Sequence, residues 1–315
     1  MYIPDFIKFH SGSLYCSAGD FYLDPKTPAK NAVISHAHAD HAVPNNLRVY
    51  CTPGTEAIMR LRYGNGAGKL FLSSAYRQSF ELGGVKITFF QAGHIMGSAQ
   101  ILMEYKGVRY LYTGDFKLQD DSTCEPFEFV KADVLITETT YARPEHSHPN
   151  PAEEIKKLSF LKDKNILLGA YVLGKAQRLS SLISEHCKDK RVVVHSAVAP
   201  YNNLYEKHNL LCGNWENATS DLIKGNNNLV YIVPPTYFKR YNNNIKFYLV
   251  FASGWANLQS NCDISLNISD HADWDDILML VNKTEPKIVL TTHGDGTLLM
   301  NHFSGSGIEV KLLVK

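Results

Sequence analysis

Short runs of apolar, β-prone residues recur along the chain, and each stops at a side chain able to bind a metal or move a proton. NAVIS leads into His36, VKITFFQAG into His94, VRYLYTG into Asp115 and DVLIT into Glu138, while CDISLNISD and KIVLTT lead into His271 and His293. Their lengths and their Val, Ile, Tyr, Phe and Thr content mark these runs as strands. Loops at strand ends on a rigid sheet are where chemistry is usually placed, so the repetition predicts one convergent site.

Helical patterns fall between the runs. PAEEIKKLSFLKD from Pro151 has acids in its first turn and apolar Ile155, Leu158 and Leu161 on one face. GKAQRLSSLISEHC from Gly174 repeats the spacing with Leu179, Leu182 and Ile183, and DWDDILMLVNKT from Asp273 with Ile277, Leu278 and Leu280. Strands and helices in this mixture predict an α/β fold. Residues 165–255 read as a separate small α/β unit, with NILLGAY, RVVVHSAV, NLVYIVPP and IKFYLVF as strands and Asn-rich loops around Asn226 and Asn242. Ligand-bearing strands flank it on both sides, so residues 1–164 and 256–315 are expected to form one domain and 165–255 an insertion in it.

The densest chemistry is NAVISHAHADHA, which places His36, His38, Asp40 and His41 within six residues. In extended backbone, residues i and i+2 point the same way, about 6.5 Å apart. His36 and His38 can therefore close on one ion, and the turn before Pro44 and Asn45 can swing Asp40 and His41 toward a second. Imidazole and carboxylate ligands without thiolate suit a catalytic, water-accessible site for zinc, manganese or iron.

Bulk composition narrows little. At 315 residues, 44% hydrophobic and 20% charged, the chain has the make-up of a globular protein with a sizeable core. The net charge of +1 neither demands nor excludes nucleic acid, which needs only a local basic surface. No basic and apolar leader opens the sequence, and no run of about 18 apolar residues occurs, so export and membrane insertion are not expected. Six scattered cysteines without a CxxC pair fit a reduced, cytoplasmic setting. Gly64, Gly66, Gly68 and Lys69 look like a phosphate loop, but the spacing is short and Leu70 stands where Ser or Thr should be.

HAHADH, His94, Asp115 and ETTY at Glu138 together resemble the metallo-β-lactamase superfamily. SDHADW around His271, TTHGDG around His293 and GKAQRL from Gly174 resemble its β-CASP branch of nucleic-acid-processing enzymes. LYCSAGDFYLDP, CTPGT, AGHIMGSAQ, GDFKLQDDSTCEPFE and SGW look more specifically like bacterial ligase-associated DNA exonucleases, relatives of messenger-RNA 3′-end processing factors. The resemblance runs from about residue 10 to residue 300. It implies an αββα sandwich with a small inserted α/β β-CASP cap. It further implies two divalent ions, zinc or else manganese, one held by His36, His38, His94 and Asp115 and the other by Asp40, His41, Asp115 and His293. Asp24 would orient the ligand loop through hydrogen bonds, and Glu138 would support His271.

The function expected from these residues is metal-dependent phosphodiester hydrolysis, foremost by a DNA exonuclease of repair. A hydroxide activated by both ions would attack phosphorus in line, Asp40 would help place the proton, and His271 would protonate the leaving 3′-oxygen. A neighbouring carboxylate such as Glu138 favours a protonated imidazole. Lys175, Gln177 and Arg178 are candidate substrate contacts at a helix N-terminus. Lys239 and Arg240 are weaker ones, and Tyr237 and Phe238 could stack on bases, although core packing is the preferred reading for both. The nearest alternative is an RNA 3′-end processing nuclease, which the histidine of TTHGDG favours. A small-molecule metallo-hydrolase and a non-catalytic nucleic-acid scaffold rank lower. A ligase or helicase partner is implied by resemblance alone, and the sequence leaves polarity, native metal and oligomeric state open.

Overall fold

A computed structural model describes residues 5–225, 228–240, 247–255 and 262–313. The chain divides into two compact units, the first drawn from the described residues of Met1–Asp120, Cys124–Ser147 and His271–Lys315, the second from Asp121–Thr123 and His148–Asp270.

Two sheets build the first unit. One has six strands in the order Ile7–His10, Ser13–Cys16, Phe21–Leu23, Asn31–Val33, Arg48–Cys51 and Leu70–Ser73. The other has seven, running Glu309–Leu312, Ile288–Gly294, Val134–Thr139, Val108–Tyr112, Ala99–Tyr105, Val85–Gln91 and Ser79–Leu82. Alternating side chains explain why the runs of the second sheet are continuously apolar. Ile101, Met103, Tyr110, Tyr112, Val134 and Ile136 point into a core shared with Leu14, Phe21, Leu23 and Val33 of the first sheet. The residues between them, Leu102, Leu111 and Leu135, face the other way onto Trp274, Ile277, Leu280 and Val281 of the helix Trp274–Thr284. With the helix Pro53–Tyr63 beside the strand Leu70–Ser73, the layers give the αββα sandwich expected for a metallo-β-lactamase fold.

In the second unit a parallel sheet runs Trp215–Asn217, Arg191–Val194, Leu229–Val233, Ile166–Gly169, Tyr248–Ala252 and Ile264–Leu266. Its core sets Leu179 and Ile183 of the helix Lys175–His186 against Ile166, Leu168, Val192 and Val230. This is the inserted α/β unit, and its compact body is wider than 165–255. The helix Pro151–Lys156 contributes Ile155 to that core. The run CDISLNISD forms only Ile264–Leu266, which pairs with Tyr248–Ala252 in this sheet, so His271 follows a loop and not a strand end of the first unit. PAEEIKKLSFLKD also departs from one helix, since it tightens to a 3-10 turn over Lys157–Phe160. The Asn-rich positions at Asn226 and Asn242 lie outside the described residues. No described helix is long and apolar enough to cross a membrane.

Asp273 caps the helix Trp274–Thr284 by accepting from the Asp276 N–H at 3.0 Å. Burial, followed by repulsion from Asp273, pushes the Asp276 carboxyl up to about 6. A carboxyl raised on folding stabilises the fold fully below its unfolded value and loses that contribution as pH climbs from about 4 through 6. Asp276→Asn should therefore be the more stable form above pH 6, by about 1 kcal/mol once solvent screening is allowed for, and match the parent near pH 4. Urea titrations at pH 4.5 and 8 test this, and a gain that is the same at both pH values would reject it.

Candidate metal centre

The histidine cluster sits where the strand Asn31–Val33 gives way to a loop, so its side chains are set by the strand's exit and not by the strand itself. His36 is fully buried, with Nε2 at 3.2 Å from His38 Nδ1 and 3.5 Å from Asp115 Oδ2. His94 arrives from the turn between Val85–Gln91 and Ala99–Tyr105, its Nε2 at 3.0 Å from the same His38 Nδ1. Asp115 follows Val108–Tyr112 across Gly114, whose φ of 56° and close approach to Ser35 leave no room for a side chain. His36, His38, His94 and Asp115 each present a ligand atom within 4.8 Å of the others.

A second group shares Asp115. Oδ2 lies 3.4 Å from His41 Nε2, and His41, Asp115 and His293 again converge within 4.8 Å. His293 adopts a φ of 49°, and Gly294 behind it passes so close to the Thr139 carbonyl that a Cβ would lie 2.2 Å from the oxygen. The register shift between Glu138 and Thr139 falls at the same place. Asp40 is not drawn into this group: its side chain is 71% exposed, with Oδ2 at 3.7 Å from His41 Nε2.

Asp24 is the hub behind the loop. Its oxygens accept from the Ser35 N–H at 2.7 Å, the Ser35 hydroxyl at 2.6 Å and the Tyr112 hydroxyl at 2.9 Å, and Oδ2 lies 2.8 Å from His41 Nδ1. Burial, with Asp24 beside it, holds the Tyr112 hydroxyl well above its ordinary value, so it stays a donor. Burial opposes charge on His41, but Asp115 and Asp24 outweigh it and raise the imidazole well above its usual range. His36 is held well below by burial and by neighbouring His41. Burial works against the Asp115 carboxylate, yet His41, His271 and His36 keep it well below the usual range.

Glu138 and His271 form a third association. Buried Glu138 accepts from the Phe116 N–H at 2.9 Å and the Thr140 hydroxyl at 2.5 Å, and its Oε2 lies 2.9 Å from His271 Nδ1. His271 is 28% exposed and 3.9 Å from Asp115, so it has one edge on the cluster and one on solvent. Asp115, Glu138 and His271 also meet within 4.8 Å.

The donor set fits metal. It offers imidazole nitrogens and carboxylate oxygens and no thiolate, and the 3.0, 3.2 and 3.5 Å separations approach the edge of about 3.3 Å that ligands at roughly 2.0–2.1 Å impose on a tetrahedron. The protein therefore has a His/Asp cluster able to bind metal ions.

One contributor, inside the GDFKLQDDSTCEPFE segment, has no role that the sequence assigns. Lys117 is fully buried, and its ammonium donates to the carbonyls of Gly93 at 2.6 Å and His94 at 2.9 Å. In sequence it is a lysine in a polar loop, and only the fold supplies the carbonyls. Lys117→Met removes the ammonium donor from both carbonyls, leaving Gly93 with the weak Cys124 thiol donor at 3.3 Å, and should loosen the His94 turn. The expected outcome is a fold weakened by roughly 1–3 kcal/mol and metal affinity lowered 10- to 100-fold. Unfolding curves and a competitive chelator titration measure the two, and unaltered metal affinity would show that the turn holds itself.

Lys175, Gln177 and Arg178 are not exposed as the expected substrate contacts would be. All three are buried within the second unit. Lys175 lies 3.1 Å from Asp270 and donates to the Ile268 carbonyl. Arg178 donates to the Ser269 carbonyl and pairs with Asp270 and Asp121. Gln177 accepts from the Gly174 N–H and donates to Asn202. Their polar atoms tie the segment before residue 271 to the helix Lys175–His186.

Comparison with known proteins agrees with this architecture. Residues 21–168 match the model of the beta-lactamase superfamily domain. The chain carries a metallo-β-lactamase domain. The metallo-β-lactamase match covers every strand-end ligand up to Asp115, together with Asp24 and Glu138. Among curated proteins, a probable DNA ligase of Opitutus terrae is 30% identical over 98% of this chain and 31% of its own length. An endoribonuclease of Mycosarcoma maydis is 32% identical over 49% of this chain and 22% of its own. The chain thus spans a third or less of these relatives. A crystal structure of a protein of unknown function from Enterococcus faecalis superposes with a TM-score of 0.61 at 16% identity, covering 91% of this chain and 79% of that one, and shares the fold.

Proposed function

We propose that the chain is a metal-dependent phosphodiesterase acting on nucleic acid, specifically a DNA exonuclease of repair that works beside a DNA ligase. The observation that carries this reading is the Asp115 carboxylate standing between two ligand groups, with the Glu138–His271 pair at its edge. The endoribonuclease relative supports phosphodiester hydrolysis, and the relative named a probable DNA ligase, matched along 98% of this chain, supports DNA and a ligase connection.

His36, His38, His94 and Asp115 would hold one divalent ion and His41, Asp115, His293 and Asp40 the other, with zinc the first choice and manganese the second. Bound divalent ions supply acidity that makes water a nucleophile near neutral pH and offset the charge of the phosphodiester. Asp24 fixes the His41 ring through Nδ1, so that Nε2 faces the ligand group. Water attacks phosphorus, its proton passes to the solvent-exposed Asp40 carboxylate, and the bond to the 3′-oxygen breaks. Glu138 holds His271, which delivers a proton to that oxygen. The second unit serves as the nucleic-acid cap.

End-labelled single- and double-stranded DNA and RNA, incubated with the purified protein and zinc or manganese, test the proposal. A ladder shortening DNA from one end is expected. Preferential cutting of RNA would move the assignment to RNA 3′-end processing, and inactivity on all four substrates would remove the nuclease reading.

A further inference from the structure

We infer that the second unit binds the bases of single-stranded nucleic acid by stacking them on a row of rings at the carboxyl edge of its parallel sheet, with Tyr171 and Trp255 as the principal platforms. This inference rests on nucleic acid being the substrate. It replaces the buried Lys175, Gln177 and Arg178 with a different surface of the same unit.

Strand order locates the surface. In an open parallel sheet, ligands settle outside the carboxyl ends where adjacent strands send their connections to opposite sides. Ile166–Gly169 connects to Arg191–Val194, two places away across Leu229–Val233, while its neighbour on the opposite side, Tyr248–Ala252, connects outward to Ile264–Leu266; the strands that diverge are Ile166–Gly169 and Tyr248–Ala252. The switch point is therefore between these two strands. Gly169 and Phe251 are in register, and the residues just beyond them are Tyr171 and Trp255. These side chains are 56% and 40% exposed.

The row continues onto the neighbouring strands. Tyr237, 39% exposed, follows Leu229–Val233, and His195 follows Arg191–Val194, with ring centroids 5.1 Å apart. Burial lowers the His195 imidazole below its ordinary value. Phe238 does not share this role, since it packs on Phe251 inside the unit. Successive strands lie about 4.8 Å apart, so His195, Tyr237, Tyr171 and Trp255 hang from four consecutive strands across roughly 15 Å.

Charge is complementary to a phosphate chain. The segments beyond these four strands, AYVLG from Ala170, HSAV from His195, PPTYFKR from Pro234 and SGW from Ser253, contain no Asp or Glu. They supply exposed Lys239 and Arg240, which follow Tyr237 and Phe238. Aromatic faces interleaved with cations and free of carboxylates are what a sequence-tolerant single-strand site needs, because every base has a π face. An acidic protein segment would match the charge equally, but four rings spread over roughly 15 Å suit successive bases of one strand, and a small nucleotide would use one ring.

Fluorescence anisotropy without added metal, so that no strand is cut, compares a labelled thymidine oligomer with an abasic oligomer of equal length and charge. The parent should bind the base-bearing strand at least about tenfold tighter. Tyr171→Ala and Trp255→Ala should each erase most of that preference while leaving abasic affinity in place, and Tyr171→Phe and Trp255→Phe should restore it. No preference in the parent, an undiminished preference in both alanine variants, or equal loss on both strands would overturn stacking. Hydrolysis of bis(4-nitrophenyl) phosphate by the metal-supplemented parent keeps the two ideas apart. Turnover of that diester with no base preference sinks this inference alone, whereas its absence counts against the phosphodiesterase itself.

Discussion

His271→Ala is expected to retain the parent's metal content and lose roughly 10²- to 10⁴-fold in turnover, the range spanned by loss of a general acid. His271 Nδ1 faces Glu138 at 2.9 Å, and the ring is partly open to solvent, so its other nitrogen is placed to meet a leaving oxygen. Both ligand groups built on His36 and His41 are complete without it. Metal analysis of the dialysed variant, beside single-turnover hydrolysis, reads both quantities. A substrate with a good leaving group needs little protonation, so the loss on bis(4-nitrophenyl) phosphate should be much smaller than on DNA. If metal content fell with activity, His271 would be a ligand and the acid assignment would fail.

The second large effect is at Asp115. Its carboxylate belongs to three of the four clusters, including both that contain histidines on opposite sides of it. Asp115→Ala should therefore strip metal from both groups and take hydrolysis below detection, whereas His38→Ala, which enters one cluster, should leave the His41 and His293 group able to hold an ion. Removing the carboxylate also leaves His36 and His41 facing one another without the charge between them. Stoichiometry by elemental analysis separates the outcomes. Equal metal loss in the two variants would show that the groups do not load independently.

The ligand loop was legible because His36, His38, Asp40 and His41 crowd into so few positions that packing gives no reason for them. The strands ending at His94, Asp115, Glu138 and His293 were legible for a different reason: both faces of the seven-stranded sheet are buried, so the runs are apolar throughout. What failed was partnership. Lys175 and Arg178 look alike in sequence whether they meet phosphate or Asp270, and Asp270 lies far along the chain. The run at Ile264 gave no sign of which sheet it would join. Tyr237 and Phe238 are adjacent and similar, yet helical geometry exposes one and seats the other against Phe251. Lys117 was invisible because its acceptors are backbone carbonyls, which no sequence pattern displays.

Pairing of Ile288–Gly294 with Val134–Thr139 has a consequence in time. The strand that carries His293 joins a neighbour made more than 150 residues earlier, after the whole inserted unit. His36, His38, His94 and Asp115 have all been synthesised by residue 115, while the His41 group waits for its last member until residue 293. Between residues 115 and 293 a nascent chain therefore has one set of cluster residues made and the other lacking a histidine. If both groups take ions, the order of the residues would let the His36 group load first.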